Sequence, residues 1–285
     1  MKHAFLILAH NLFEQLQLLI NLLDDSRNDI YIHIDKKCKI PHLYAKYSKL
    51  NILKKRVDVR WGSVSLIKAE LLLFETAYHY PENYSYYHLL SGVDLPIKNS
   101  DYLHNFFQNH LGKEFIGICD VDENEFIDRV NRIHLLRSQF RTNNRYISLL
   151  RYYLEKIINK IYKYPTEYIE YKKGPNWVSI TNNFVLYLLE NKTYILKKYK
   201  YSLCADEIYK QTLAWNSHFK KSLFYSDNTI KSCKRLIDWE RGTPYIFGFE
   251  LEKDINIIKN SDAIFARKFD LSKFPYIIRW IQSNI

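Results

Sequence analysis

A chain of 285 residues, 47% hydrophobic and 16% aromatic, carries enough apolar material for one large domain or two closely packed ones. Its net charge of +11 favours anionic partners such as phosphorylated ligands or acidic membrane surfaces, and no nucleic-acid-binding motif accompanies that charge. Seven Gly and seven Pro, thinly spread, exclude a linker or low-complexity segment, and Cys38, Cys119, Cys204 and Cys233 lie too far apart for a zinc ribbon or a disulfide framework.

In chain order, Ala4–Ala9 (AFLILA) predicts a first strand. It is too short to span a membrane and runs into polar His10-Asn11, so it reads as a first strand rather than a signal peptide. No later run reaches the roughly 18 apolar residues of a spanning helix, which leads to the expectation of a soluble, cytoplasmic protein. Leu12, Leu16, Leu19, Ile20 and Leu23 follow helical spacing up to Asp24-Asp25. Asp29–Ile34 predicts the next strand, ending at Asp35-Lys36-Lys37. Val57-Asp58-Val59 predicts a short strand before Arg60-Trp61-Gly62. Ser63 then caps a helix that carries Leu66, Leu73, Phe74 and Ala77.

The stretch Tyr84–Lys98 (YSYYHLLSGVDLPIK) begins as a buried strand with Tyr86, Tyr87, Leu89 and Leu90. It breaks at Ser91-Gly92-Val93-Asp94, and Pro96 prevents simple continuation. Such an ending offers a hydroxyl, free backbone N–H groups and a carboxylate. This strand–helix alternation predicts an α/β fold with a mostly parallel central sheet flanked by helices. In a parallel sheet the carboxyl ends share one edge, where open α/β sheets bind ligands. His10-Asn11, His33 with Asp35, Trp61-Gly62-Ser63 and Ser91–Asp94 gather there. Each group alone is ordinary turn chemistry; four in succession read as a nucleotide or sugar-nucleotide cleft.

In the middle of the chain, Glu114–Cys119 predicts another strand running into Asp120-Val121-Asp122. Asp-x-Asp after a strand can hold a divalent cation against a diphosphate, and with Glu123 and Glu125 nearby it also reads as a plain acidic loop. Tyr146–Lys163 predicts a basic amphipathic helix. Ile147, Leu150, Leu154, Ile157 and Ile161 either pack on the body or rest on an anionic membrane.

Towards the C-terminus, Gly174–Ile180 leads into a helix near Thr181-Asn182, and Ser202–Tyr209 flows into a helix through Gln211-Thr212-Leu213. Asp206-Glu207 falls in a first helical turn, where capping and the helix dipole suffice to explain acidic residues. Arg241 precedes a strand at Tyr245-Ile246-Phe247, and Arg267-Lys268 lies between Phe265 and Phe269. Trp177, Trp215 and Trp239 serve either the core or stacking on sugar rings.

The segments IYIHIDKK (Ile30–Lys37), RWGSVSLIKAEL (Arg60–Leu71), YYHLLSGVDLPIK, GPNWVSIT, CADEIYKQT and IFARKFD occur in an order that resembles the core-2/I-branching β-1,6-N-acetylglucosaminyltransferases. That group also contains the peptide O-xylosyltransferases, and the likeness is to its shorter bacterial branch. The resemblance implies a GT-A-type, Rossmann-like glycosyltransferase fold over residues 1–285, with a nucleotide-binding half (1–120) and an acceptor-binding, catalytic half (121–285). It implies inverting transfer from a UDP-sugar, GlcNAc or xylose, without a metal cofactor. The basic surface and the helix from Tyr146 to Lys163 suit a glycan or lipid-linked oligosaccharide acceptor in bacterial surface polysaccharide synthesis, and an enzyme peripheral to the inner face of the plasma membrane.

By the same resemblance Glu207 is the catalytic base, Lys268 supports the diphosphate, Arg241 has a similar role, and Asp35 lies near the nucleoside. The Asp120-Val121-Asp122 element has no counterpart role. With the strand-end groups, donor-binding candidates are His10, Asp35, Trp61, Arg241, Arg267 and Lys268. Candidates for the acceptor or sugar are Ser91, Gly92, Asp94, Trp177 and Asp206. One carboxylate suffices for a single inverting displacement, because only the attacking hydroxyl must lose a proton. Charge growing on the departing UDP can be met by fixed cations such as Arg267, Lys268 and Arg241. A metal-dependent transferase using Asp120 and Asp122, and a catalytically silent sugar-nucleotide or glycan-binding protein, are the alternative readings.

Overall fold

The computed structural model describes residues 1–134, 145–161, 169–224 and 229–285. The first apolar run forms β1 (His3–Ala9), buried along its whole length. A strand without polar alternation needs cover on both faces. The elements that follow supply it: α1 (Phe13–Leu23), β2 (Asn28–Ile34), β3 (Lys49–Ile52), α2 (Val64–Tyr78), β4 (Tyr86–Ser91), β5 (Leu95–Pro96) and α3 (Ser100–Asn109). The second half adds α4 (Asp128–Asn131), α5 (Arg145–Ile161), β6 (Ser179–Thr181), α6 (Asn182–Glu190), α7 (Lys192–Lys198) and α8 (Tyr209–Trp215). It closes with β7 (Arg235–Ile237), α9 (Leu251–Asn260), β8 (Phe265–Arg267) and α10 (Pro275–Asn284).

The central sheet has the order β3-β2-β1-β4-β6, parallel except for β6, which runs antiparallel to β4. A smaller sheet, β5-β8-β7, lies beside it. Alternate side chains feed two cores. Leu6, Tyr31 and Leu89 join Leu71, Phe74 and Phe184 on one face. Phe5, Ile32 and Leu90 join Leu19, Phe107 and Ile278 on the other. Each such side chain contributes roughly 1.5–3 kcal/mol relative to exposure, and a one-residue slip would exchange the two sets. The expected mostly parallel α/β sheet is therefore the one observed. The Ser63 hydroxyl caps α2, accepting from the Ser65 N–H at 3.2 Å.

Four local expectations are corrected. Val57–Val59 is not a strand: its place at the sheet edge is taken by β3. The Val57 N–H donates to His33 Nε2 (2.9 Å) and its carbonyl accepts from the Lys36 N–H (3.1 Å), so neither is free for a ladder. Glu114–Cys119 makes only isolated bridges, Glu114 with Leu223 and Phe115 with Ser179. There the chain runs close to its neighbours; a Cβ on Gly117 would lie 2.9 Å from the Ile230 carbonyl oxygen. Tyr245–Phe247 is a loop, because the Tyr245 N–H donates to the Asp238 carbonyl and the Phe247 N–H to that of Lys268.

The fourth correction concerns α5. The helix forms where expected, up to the described limit at Ile161; positions 162 and 163 lie outside the described residues. Its apolar stripe does not pack on the body: Leu150, Leu154, Ile157 and Ile161 are exposed. The polar side faces inward instead, with Glu155 buried and Asn159 bonded to both backbone groups of Ile133. Among the described residues no helix is long and apolar enough to cross a membrane.

Candidate functional site

Backbone hydrogen bonds bring the carboxyl ends of β1, β2 and β4 together. The Asp35 N–H donates to the Ala9 carbonyl and the Gly92 N–H to that of Leu8, both at 2.9 Å. Cys38 Sγ donates to the His10 carbonyl at 3.1 Å. His10, Asp35 and Gly92 therefore share one edge. The His10 side chain is exposed, whereas the Asp35 carboxylate is nearly buried and accepts from the Lys37 N–H and Nζ, each at 2.9 Å. At Gly92 the strands approach so closely that a Cβ would sit 3.2 Å from that of Ala9.

The Ser91–Asp94 turn corrects the expectation of free groups at this edge. Asp94 accepts from the Ser91 N–H (2.8 Å) and from the Ser91 hydroxyl (2.7 Å), and the Asp94 N–H donates to the Ser91 carbonyl. The polar atoms satisfy one another, as they must at a site where Asp94 is 1% exposed. What Asp94 offers outward is charge. Its Oδ1 lies 3.4 Å from Arg267 Nη1 at the end of β8.

The Arg267 guanidinium stacks on the Trp177 ring at 4.3 Å. Desolvation pulls its pKa below the usual arginine range, opposed by the Asp94 and Glu207 carboxylates. Lys268 follows, half-buried; desolvation and then Arg267 pull its ammonium below the usual lysine value. No ion pair is formed by Lys268 among the described residues. Arg241 differs from the expectation of a phosphate-facing cation. Its guanidinium pairs with Asp238 (2.6 Å), Glu250 (2.7 Å) and Asp254 (2.8 Å) and lies over the Tyr245 ring. Three carboxylates around one cation leave it little net positive charge to offer an anion.

Glu207 ends the tight turn Ala205–Glu207 that leads into α8. Cys204 adopts left-handed backbone (φ 49°), and its N–H donates to the Gly62 carbonyl at 2.9 Å. That bond sets the Trp61-Gly62-Ser63 loop, with its exposed Trp61, against the turn. The Gly174 N–H donates to the Glu207 carbonyl at 2.9 Å, tying in the segment that carries Trp177. The Glu207 side chain is 33% exposed and pairs with Arg129 Nη1 at 3.0 Å. Burial pushes the adjacent Asp206 carboxyl up to about 7, aided by the charges of Glu70 and Glu207 and opposed by Lys210.

Beneath the turn lies a fully buried ion pair, Glu70 of α2 with Lys210 of α8, at 2.7 Å. Glu70 also accepts from Tyr209 (2.7 Å) and Asn176 (2.6 Å), and Lys210 donates to Asn176 Oδ1 (2.6 Å) and to the Asp206 carbonyl (3.2 Å). The network joins α2, α8 and the Trp177 segment under Asp206-Glu207. Arg129, Glu70, Asn176 and Lys210 were not singled out from sequence. Glu70 had a signal, a carboxylate on the same helical stripe as Leu66, Leu73, Phe74 and Ala77. Arg129 had none, because it reaches Glu207 from a segment distant in sequence.

Other candidates lie elsewhere. Asp122 bonds the Asn124 N–H and side-chain amide, both at 2.7 Å, as the cap of a short turn. Among the described residues no three His, Cys, Asp or Glu side chains gather into a group that could hold a metal ion. Trp215 donates to Glu170 at 2.7 Å and lies close to the ammonium groups of Lys172 and Lys220, and Trp239 is exposed.

Carboxylate, guanidinium, ammonium and an aromatic wall thus converge from four distant segments. The sequence model of the family described as Core-2/I-Branching enzyme matches residues 3–256. "Xylosyltransferase oxt" of Drosophila melanogaster is 23% identical over 94% of this chain and 31% of its own length. "Xylosyltransferase 1" of Homo sapiens is 23% identical over 84% of this chain and 24% of its own length. The chain therefore spans about a third or less of the curated relatives it matches. Among solved structures, mouse xyloside xylosyltransferase 1 in its apo form aligns over 93% of this chain and 96% of its own, with 12% identity and a TM-score of 0.36.

Proposed function

This chain belongs to the Core-2/I-Branching enzyme family, a family of glycosyltransferases, and from that premise we propose that it moves a sugar from a UDP-sugar to a glycan hydroxyl with inversion and without a metal. The observation that carries the reading is a cluster tied together by the Trp177 segment: the Gly174 N–H holds the Glu207 carbonyl, the Arg267 guanidinium lies on the Trp177 ring and feels the Glu207 charge, and Lys268, next to Arg267, forms no ion pair among the described residues. Glu207 takes the proton from the acceptor hydroxyl as that oxygen attacks the anomeric carbon from the face opposite UDP. The bond from that carbon to the β-phosphate oxygen breaks, and the charge left on UDP is met by Lys268 and the outer edge of Arg267. Asp94 and Trp177 hold the Arg267 guanidinium in place.

Asp35 and His10 mark the nucleoside end of this cleft, and Trp61, Trp177 and Asp206 its sugar end. Residues 1–120 thus act as the nucleotide-binding half and 121–285 as the acceptor-binding, catalytic half. GlcNAc is the favoured donor sugar, with xylose the other candidate, and the acceptor is a glycan or lipid-linked oligosaccharide of a bacterial surface polymer. A cytoplasmic location accords with four free cysteines.

The test is a donor screen following UDP release from UDP-GlcNAc, UDP-xylose, UDP-glucose and UDP-galactose, each with EDTA or Mn²⁺. Slow hydrolysis of one donor, indifferent to EDTA, is expected. Strict dependence on Mn²⁺ would overturn the fixed-cation mechanism and return attention to Asp120 and Asp122. No turnover on any donor, together with no UDP binding by calorimetry, would overturn the enzymatic reading.

A further inference from the structure

Helix α5 is built inside out. Leu150, Tyr153, Leu154, Ile157 and Ile161 recur at spacings of three and four residues, the pattern of a buried stripe. Yet Leu150 is 61%, Ile157 55% and Ile161 79% exposed. The opposite side, carrying Glu155 and Asn159, is the one that faces the body. Exposed Arg145, Lys156 and Lys160 border the apolar stripe along one flank. We propose that this outward face is a docking surface for an anionic lipid bilayer, with the helix lying in the plane of the interface.

Length and charge decide among the occupants. A helix of 17 residues is about 25 Å long, and Arg151, Glu155, Lys156 and Lys160 interrupt it, so it cannot cross a hydrocarbon core. An apolar stripe edged by cations, with Tyr at the boundary, is what an in-plane amphipathic helix presents to anionic headgroups. A second copy of this chain fits less well, because a two-fold contact would bring the same cations of both copies together. The net charge of +11 adds long-range attraction to the same partner.

The docked helix stands close to the candidate site. Asn159 accepts from the Ile133 N–H (2.7 Å) and donates to its carbonyl (3.1 Å). Ile133 follows α4, whose Arg129 pairs with Glu207. Docking would hold Glu207 near the lipid surface, where a lipid-linked acceptor resides. That last consequence rests on the function proposed above, whereas the docking itself does not.

The test mixes the full chain with phosphatidylcholine vesicles, plain or containing about 30 mol % phosphatidylglycerol, and measures co-sedimentation at low and high salt. Binding to the anionic vesicles at low salt is expected. The pair Lys156→Gln and Lys160→Gln should lower the partition coefficient about five-fold per charge removed. The pair Leu150→Glu and Ile157→Glu should abolish binding, with circular dichroism and the unfolding midpoint unchanged because both positions face solvent. Failure of the unaltered chain to bind, or binding indifferent to both pairs, would overturn the proposal. So would a dimer in equilibrium sedimentation that the Glu pair dissociates, since it would assign the face to a second copy.

Discussion

Arg129 donates from Nη1 to Glu207 Oε2 at 3.0 Å, so the carboxylate proposed as the base is oriented by a cation from a segment 78 residues away in sequence. Both side chains remain about one-third exposed, 32% and 33%, so the pair holds a direction more than it adds stability.

Removing the proposed proton acceptor and the proposed phosphate partner should have separable effects. Glu207→Gln keeps the shape of the side chain but cannot take a proton; transfer should fall by roughly 10²–10⁴-fold while UDP affinity in calorimetry stays unchanged. Arg267→Ala removes the guanidinium between Asp94 and Trp177, and UDP affinity should drop by about 10- to 100-fold. Substantial turnover by Glu207→Gln would move the base elsewhere.

The Glu70–Lys210 pair makes a second prediction, about stability. Both side chains are fully buried, so removing one charge strands the other. Lys210→Met should lower the unfolding free energy by about 3–5 kcal/mol. Adding Glu70→Gln removes the stranded charge and should recover much of the loss. Denaturant unfolding of the single and double variants checks this; equal losses in the two would mean that the charge is already compensated.

Glu114 supplies a prediction about pH. Burial pushes its carboxyl up to about 7 from an ordinary 4.5, partly offset by hydrogen bonds from the Thr181 hydroxyl and N–H. Because the folded state holds the proton more tightly than the unfolded one, its contribution is fully present below about pH 4.5 and is lost as pH rises through 7. Buried His3, His88 and His104, held below their ordinary value, act in the opposite sense at acid pH, so a difference measurement is needed. The unaltered protein should lose stability relative to Glu114→Gln between about pH 4.5 and 7, by roughly 3 kcal/mol. A difference that does not vary with pH would place the folded-state pKa near its ordinary value.

The sequence alone determined the strands buried on both faces, because β1, β2 and β4 leave an apolar run with little polar interruption. It also determined the cap at Ser63 and the family, through six short motifs in fixed order. Short edge pieces were not legible. Lys49–Ile52 becomes a strand by pairing with β2, while the more strand-like Val57–Val59 gives its N–H to the His33 ring.

Only tertiary structure decided which charges remain available. Asp94 and Arg241 read in the sequence as ligand-facing groups, yet Asp94 closes its own turn and Arg241 lies among three carboxylates. Arg129 and Lys210 gain their places by reaching Glu207 and Glu70 across the fold. The outward turn of the α5 stripe was equally hidden, since periodicity gives the stripe but not the side of the helix that meets the body. Local pattern depends on neighbours three or four residues away, whereas the pairing of charges depends on which distant segments the sheet brings within a few ångströms.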